Sequence, residues 1–94
     1  MTNKIYKEYF EINNWQYAKK ETLVNKSFKF RSFPTAISWM VEISFFAEQI
    51  DHHPEWKNIF DTVNVELTTH DKQCLTEKDS KMAKYMDNTY LKYK

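Results

Sequence analysis

The sequence predicts an α+β domain in which helices pack on one face of an antiparallel sheet. Two kinds of periodicity lead to this fold class. Apolar and polar residues alternate over 27–31 and over 59–70, which is the pattern of half-buried strands. Between these segments, apolar residues recur at steps of three and four over 34–50, as in a helix. Along the chain, the predicted strands are followed by a helix, then by one or more strands, and then by a last helix. This order favours one domain spanning residues 1–94.

The N-terminal third is predicted to contain a β-hairpin. Residues 1–12 combine polar and aromatic side chains, which favours a short strand or an arm. The chain then alternates over Trp15–Ala18 and again over Ser27–Arg31, and the polar segment Lys20–Lys26 separates the two runs. This arrangement indicates an antiparallel hairpin.

A long helix is predicted to begin at Pro34, because the fixed φ and missing N–H of proline are tolerated in a first turn. Pro54 cannot continue this helix, so we expect it to end near Ile50 or Asp51. The apolar residues form a broad face and a flank: the face is Ala36, Trp39, Met40, Ile43, Phe46, Ala47 and Ile50, and the flank is Ile37, Val41 and Phe45. Such a helix is either central to its domain or shared with a partner subunit, and in so short a chain oligomerisation is favoured.

The C-terminal third is predicted to contain a strand, a turn and a last helix. The strand runs from Ile59 to His70, and the turn follows at Asp71–Gln73. Thr76 and Asp79 have the spacing of a capping box at the start of a helix, whose buried stripe is Met82, Ala83, Met86 and Tyr90. Glycine is absent, so residues with a Cβ must supply any positive φ; the candidates are Asn25–Lys26 and the turn 71–73.

The composition restricts the classes of function. The chain has 14 basic and 13 acidic residues, a balance that gives no electrostatic reason to expect a nucleic acid or an acidic membrane as partner. No apolar run approaches the ~20 residues of a membrane span, and the first residues are too charged for a signal-peptide core. The single cysteine, Cys74, excludes an internal disulfide and is typical of a reducing compartment. A cytoplasmic domain is therefore expected.

All three histidines lie near the middle of the chain, at His52, His53 and His70. An imidazole with a pKa of about 6.5 can both donate and accept protons near neutrality. The histidines also lie at the predicted ends of a helix and a strand, where sites commonly form. The cluster therefore favours proton-transfer chemistry. Zinc is a less favoured alternative, because the adjacent side chains of His52 and His53 should diverge and Cys74 has no metal-type spacing.

Three other residues have both a structural and a chemical interpretation. Cys74 is more typical of a buried or turn cysteine than of a nucleophile. Asp79 is able to orient a histidine, but its capping position explains it without catalysis. Trp56 is able to stack on a planar ligand, although packing in a core or an interface is the more common role of a tryptophan.

The motifs around the histidines resemble those of the pterin-4a-carbinolamine dehydratase family. The resemblance rests on AEQIDHHPEW at 47–56, VNVELTTH at 63–70 and LTEKDSKMA at 75–83. An upstream aromatic pattern beginning at Trp15 extends it over most of the chain. In animals this family also supplies the dimerisation cofactor of a homeodomain transcription factor.

The resemblance implies a four-stranded antiparallel sheet backed by helices, in a homodimer or homotetramer. It implies the loss of water from 4a-hydroxytetrahydrobiopterin, without a metal or other cofactor, to give the quinonoid dihydropterin in tetrahydrobiopterin recycling. The implied catalytic residues are His52, His53 and His70, and the implied substrate-binding residues are Asp51, Pro54, Trp56, Thr69 and Asp79. The chemistry suits imidazoles. One hypothesis is that His53 and His70 transfer the protons while His52 holds the pterin.

Three features depart from the family pattern. Cys74 stands where glycine is usual, so the turn after His70 is expected to differ. Lys78 stands where an arginine is common, which keeps the charge but loses the planar guanidinium. A basic and aromatic arm, Lys4–Phe10, replaces an acidic leader helix and leaves the oligomeric state open.

The main alternative is a binding role, in which the same fold serves as a transcription cofactor or as an assembly partner of another protein. Some relatives do serve in these ways, including in assembly of the carbon-fixing carboxylase. The histidine set favours the enzyme, because a scaffold has no need of it. A metal-dependent hydrolase is the third and least favoured class.

Overall fold

The computed structural model describes the backbone of residues 2–94 and the side chains of residues 7–94. Its elements are α1 (Thr2–Ile12), β1 (Gln16–Ala18), β2 (Leu23–Lys29), α2 (Phe33–Ile50), β3 (Glu55–Ile59), β4 (Thr62–Leu67) and α3 (Glu77–Tyr93). The strands form one antiparallel sheet in the order β1-β2-β4-β3. The predicted α+β class and the four-stranded sheet are confirmed.

The core lies between the helices and one face of the sheet. Alternate residues of β2 and β4 are buried against α2 and α3. The strand residues of this core cluster are Val24, Phe28, Val63, Val65 and Leu67, and the helical ones include Trp39, Ile43, Met82 and Met86. The residues between them, such as Ser27 and Asn64, lie on the opposite, exposed face. An antiparallel sheet tolerates one solvated face, because alternation separates apolar from polar side chains. No helix in the described part of the chain is long and apolar enough to cross a bilayer.

The N-terminal segment is helical, so the prediction of a strand or arm over residues 1–12, and of an arm over Lys4–Phe10, was wrong; residue 1 lies outside the described residues. Phe10 is fully buried and packs edge-on against Trp15. The Tyr9 hydroxyl donates to Asp87 Oδ2 of α3 over 2.6 Å. Burial, and then the Asp87 carboxylate, raise the pKa of Tyr9 well above its ordinary value. Aromatic residues favour strands locally, but these contacts with α3 and the hairpin stabilise a helix.

The Asp87 carboxylate joins three elements. Its Oδ2 also accepts a hydrogen bond from Trp15 Nε1 over 2.9 Å, and its Oδ1 lies 2.7 Å from Lys26 Nζ of β2. Lys26 Nζ donates in turn to the Asn13 carbonyl over 2.9 Å. One carboxylate on α3 thereby fixes both the end of α1 and the start of the sheet.

The hairpin is confirmed, but its connection is shorter than predicted. β1 and β2 pair antiparallel with Ala18 opposite Leu23, so the turn is 19–22 and the segment Asn25–Lys26 belongs to β2. The positive φ angles predicted at Asn25–Lys26 are instead found at Lys19 (50°), Lys20 (57°) and Glu21 (64°). The second predicted position is confirmed within the turn 71–73, at Gln73 with φ 53°.

The long helix begins and ends as predicted. Ser32 is the N-cap, its side chain accepting from the Thr35 N–H, and Pro34 lies in the first turn. Asp51 is the C-cap, in the left-handed conformation with φ 54° and ψ 50°. The predicted broad face is buried at Ala36, Trp39, Ile43 and Ala47, whereas the flank of Ile37, Val41 and Phe45 is exposed.

The strand predicted over 59–70 is shorter in the structure: β4 spans Thr62–Leu67, Ile59 ends β3, and residues 68–70 lie beyond the strand, so the prediction was wrong at both ends. The chain reverses at Phe60 and Asp61, and Ile59 pairs with Thr62 across the turn. Phe60 has φ 54°, an unusual conformation for an aromatic residue, and no Asn-Gly or Asp-Gly pair signals the hairpin. The capping box of the last helix is confirmed, with Thr76 as the N-cap and Asp79 completing the box.

We expect Lys20→Gly to stabilise the protein by about 0.5–1 kcal/mol. A residue with a Cβ in the left-handed conformation costs about 1–2 kcal/mol, and glycine removes this cost. The gain exceeds the free-energy cost of the greater conformational entropy that glycine gives the unfolded chain. Urea unfolding measures the change. Lys72→Gly is the matched control, because Lys72 is an exposed turn lysine that is not among the residues with positive φ; it should not stabilise. Equal effects of the two substitutions would contradict the prediction.

Candidate active site

The three histidines meet at one end of the sheet, where α2 ends, β3 begins and β4 ends. A hollow of about 300 Å³ lies there, lined by Asp51, His52, His53, Thr68, Thr69, His70, Asp71 and Lys78. Residues from two distant segments of the chain, 51–53 and 68–71, therefore form a single concave surface.

The C-cap of α2 separates the two adjacent histidines. Asp51 turns the chain in the left-handed conformation, and the His52 N–H donates to the Ala47 carbonyl over 3.0 Å. Pro54 then starts the extended chain that becomes β3. As a result, the His52 side chain is buried, with 8% exposed, while 57% of the His53 side chain is exposed.

His52 is held by a buried carboxylate. Its Nε2 lies 2.6 Å from Asp79 Oδ1, and the Asp79 side chain is fully buried. The other oxygen, Oδ2, accepts from the Thr69 hydroxyl over 2.8 Å and from the Thr76 N–H over 2.9 Å. Because a buried carboxylate needs such partners, these contacts join the end of α2, the end of β4 and the start of α3.

His53 has a different partner. Its Nε2 lies 2.6 Å from Glu48 Oε1, in the last turn of α2. Both side chains are exposed, at 57% and 77%, so the pair contributes little to stability. It places the Glu48 carboxylate beside the His53 ring at the edge of the hollow. Glu48 was not among the predicted site residues, although it belongs to the motif that carries the resemblance.

The remaining wall comes from the turn after β4 and from the start of α3. His70 is exposed, and its carbonyl accepts from the Gln73 N–H over 3.2 Å. The Thr69 N–H donates to the Cys74 carbonyl over 3.1 Å, which closes the turn. Cys74 is an exposed turn residue. Lys78, in the first turn of α3, is the one lysine of the lining.

The predicted substrate-binding residues divide into two groups. Asp51 and Thr69 line the hollow. Asp79 lies beneath it without exposed surface, and Pro54 is half-buried outside the lining. Trp56 is half-buried on β3, where its ring packs against Trp39 with centroids 6.1 Å apart. Of the last three, Asp79 holds His52 and Thr69 from beneath, whereas Pro54 and Trp56 lie outside the lining of the hollow.

Within residues 7–94, whose side chains are described, no three His, Cys, Asp or Glu side chains converge as a metal ion requires. The three histidines share one hollow but do not form such a group. There Nε2 of His52 and of His53 each face a carboxylate on a different element.

The sequence model of the family described as pterin 4 alpha carbinolamine dehydratase matches residues 1–89 of the chain. The chain belongs to this family. Relatives in Rhizobium rhizogenes and Brucella ovis, each named "Putative pterin-4-alpha-carbinolamine dehydratase", are similar to it. The first is 45% identical over 78% of this chain and 72% of its own length; the second is 41% identical over 81% and 78%.

Solved structures of the pterin dehydratase fold are similar as well. The crystal structure of a transcriptional coactivator/pterin dehydratase from Brucella melitensis has a TM-score of 0.84 and 38% identity, covering 89% of this chain and 90% of that one. A pterin dehydratase-like protein, identified as a RuBisCO assembly factor in the alpha-carboxysome, has a TM-score of 0.69 at 19% identity, covering 81% and 88%. The second likeness shows the fold alone.

In this member of the pterin carbinolamine dehydratase family, we expect Asp79→Ala to lower the free energy of unfolding by about 3 kcal/mol or more. The substitution removes the carboxylate that joins His52, Thr69 and the Thr76 N–H. Urea unfolding followed by tryptophan fluorescence measures it. The control is Glu77→Ala, an exposed acidic residue of the same helical turn, which should change stability by less than about 1 kcal/mol. A loss for Asp79→Ala no larger than for Glu77→Ala would refute the role of the buried carboxylate.

Proposed function

We propose that the protein is a pterin-4a-carbinolamine dehydratase that removes water from 4a-hydroxytetrahydrobiopterin to give the quinonoid dihydropterin. The observation that carries the proposal is the single hollow shared by His52, His53 and His70. Membership of the family and the identity with relatives named for this activity support it. The product would be reduced afterwards, in recycling of the tetrahydrobiopterin cofactor.

The reaction needs two proton transfers. One proton goes to the C4a hydroxyl as it leaves as water, and one is removed from the ring N5–H, so that a C4a–N5 double bond forms. His53 and His70 are exposed at the hollow and are suited to these steps. A positioned imidazole contributes about 10²–10⁴-fold to such a reaction.

His52 has a different role in the proposal. Asp79 occupies its Nε2, and only 8% of the side chain is exposed, so the ring orientation is fixed. We assign to His52, together with Asp51 and Thr69, the holding of the pterin ring. The volume of about 300 Å³ lies at the lower end of small-molecule sites, which span about 300–1,000 Å³.

A binding role is the second candidate function. The observation that favours it is the exposed apolar flank of α2, where 37% of Ile37, 51% of Val41 and 73% of Phe45 are accessible. Exposed apolar strips of this kind mark contact surfaces. Two solved relatives carry a coactivator and an assembly-factor description. A scaffold does not require the histidine hollow, and for this reason we place catalysis first.

We assign the α2 flank to self-association, as a homodimer or homotetramer in the cytoplasm. A second copy of the same flank offers matching apolar side chains without a further partner. The exposed thiol of Cys74 fits a reducing compartment.

We expect His53→Ala and His70→Ala each to lower turnover tenfold or more without unfolding the domain, because each removes a proton-transfer group that is exposed and outside the core. Chemically generated carbinolamine is mixed with the protein in stopped flow, and dehydration is followed by its ultraviolet change. Gln73→Ala, in the same turn as His70, is the control and should remain active. Wild-type turnover in both histidine variants would remove the catalytic assignment and leave the binding role.

Self-association has its own test. We expect the wild-type protein to sediment as a dimer or tetramer and Phe45→Glu to sediment as a smaller species, because the charge must be desolvated in the interface. Ile12→Glu is a matched control, since Ile12 is 75% exposed and Phe45 is 73% exposed. A wild-type monomer in analytical ultracentrifugation would contradict the assignment, as would equal effects of the two substitutions.

A further inference from the structure

The apolar flank of α2 and the histidine site are parts of one surface. Phe33, Ile37, Val41 and Phe45 follow one another at steps of four residues, and 37–73% of each side chain is exposed. With 100° per residue, Glu48 lies between the directions of Ile37 and Val41. Glu48 therefore continues the flank at its C-terminal end, where its carboxylate meets His53 Nε2.

The charges of this surface differ between its two ends. The helix itself contains Glu42 and Glu48 and no lysine or arginine, and Asp51 follows as its C-cap. Arg31 lies two residues before its first turn and is exposed. Among the residues with described side chains, no carboxylate lies within ion-pair distance of Arg31. One end of the flank is thus cationic and the other anionic.

Two copies of α2, packed antiparallel about a two-fold axis, bring the cationic end of each flank to the anionic end of the other. If Val41 lies near the two-fold axis, Ile37 of one copy faces Phe45 of the other, and the apolar residues cover one another. A crossing angle of about 20° keeps the helix ends close. The same register brings Phe33 of one copy level with Glu48 of the other, to within about 1.5 Å along the axis. Ser32 is extended, so the backbone of Arg31 lies at most about 7 Å beyond Phe33. The opposed helix dipoles favour the same orientation.

We propose that the partner subunit's Arg31 completes each histidine site by binding the Glu48 carboxylate that holds His53. This inference rests on the proposed dehydratase function and extends it. The occupant of the flank is a second copy of this chain, and Arg31 acts as a positioning residue through Glu48. Covering the flank also removes water from the Glu48–His53 pair, so the pair becomes rigid only in the assembled protein.

Mixed oligomers test the trans contribution of Arg31. Arg31→Ala alone should lower turnover about fivefold to tenfold, whereas Arg31→Lys should keep most of the activity because the charge remains. Hetero-oligomers of an Arg31→Ala subunit with a His70→Ala subunit, isolated through two different affinity tags, should recover about half of the wild-type turnover. In these oligomers one site has its own His70 and receives Arg31 from the other subunit.

The control oligomer contains the same two substitutions, but both are in one subunit. One subunit carries both Arg31→Ala and His70→Ala, and the other is wild type. The intact histidine site of the wild-type subunit then receives no arginine from its partner, so the turnover should stay about fivefold to tenfold below that of the first mixture. Equal turnover of the two mixtures overturns the proposal, and so does a wild-type protein that is monomeric at the assay concentration.

A chemical readout separates this proposal from the dehydratase function. In a Cys74→Ser background, Arg31→Cys and Glu48→Cys in one chain should yield a covalent dimer with a short bis-maleimide, whereas each single cysteine should yield none. Absence of the cross-linked dimer overturns the contact whatever the activity. If the dimer forms but His70→Ala turns over like wild type, the subunit contact stands and the proposed dehydratase function fails.

Discussion

The site depends on one buried carboxylate. Asp79 has no exposed surface, and a carboxylate in such an environment is stable only when its oxygens are satisfied. His52, the Thr69 hydroxyl and the Thr76 N–H satisfy them, and each comes from a different part of the chain. The end of α2, the end of β4 and the start of α3 therefore meet at Asp79. The hollow exists because these three ends meet, so the same contacts support both the fold and the site.

Much of the fold could be predicted because its signals are local. Pro34 and Pro54 bound α2, and the capping box bounds α3. The failures occur where tertiary contacts override local preference. The contacts of Tyr9 and Phe10 with α3 and the hairpin stabilise a helix in an aromatic segment that favours a strand. The β3–β4 turn has an unusual residue, Phe60, in the left-handed conformation, because the chain has no glycine to place there.

The candidate site was only partly accessible to sequence reasoning. The histidines could be grouped because helix and strand ends gather at one edge of a sheet. Asp51 and Thr69 were implied by the resemblance, and the structure places both in the lining of the hollow. Glu48 was missed because its contact with His53 arises only after the left-handed turn at Asp51 brings the two together. Asp79 and Trp56 were assigned to the substrate through the resemblance; in the structure Asp79 is buried beneath the hollow and Trp56 is half-buried outside its lining. The catalytic and binding roles themselves stay predictions.

The opposite orientations of two neighbouring side chains have a consequence for protein engineering. The His52 side chain is buried and the His53 side chain is exposed, so substitutions at these two positions affect different properties of the protein. A library randomised at position 52 will be depleted first by loss of soluble expression. One randomised at position 53 will keep its yield and will differ in chemistry. Yield therefore reports on the inner position and turnover on the outer one.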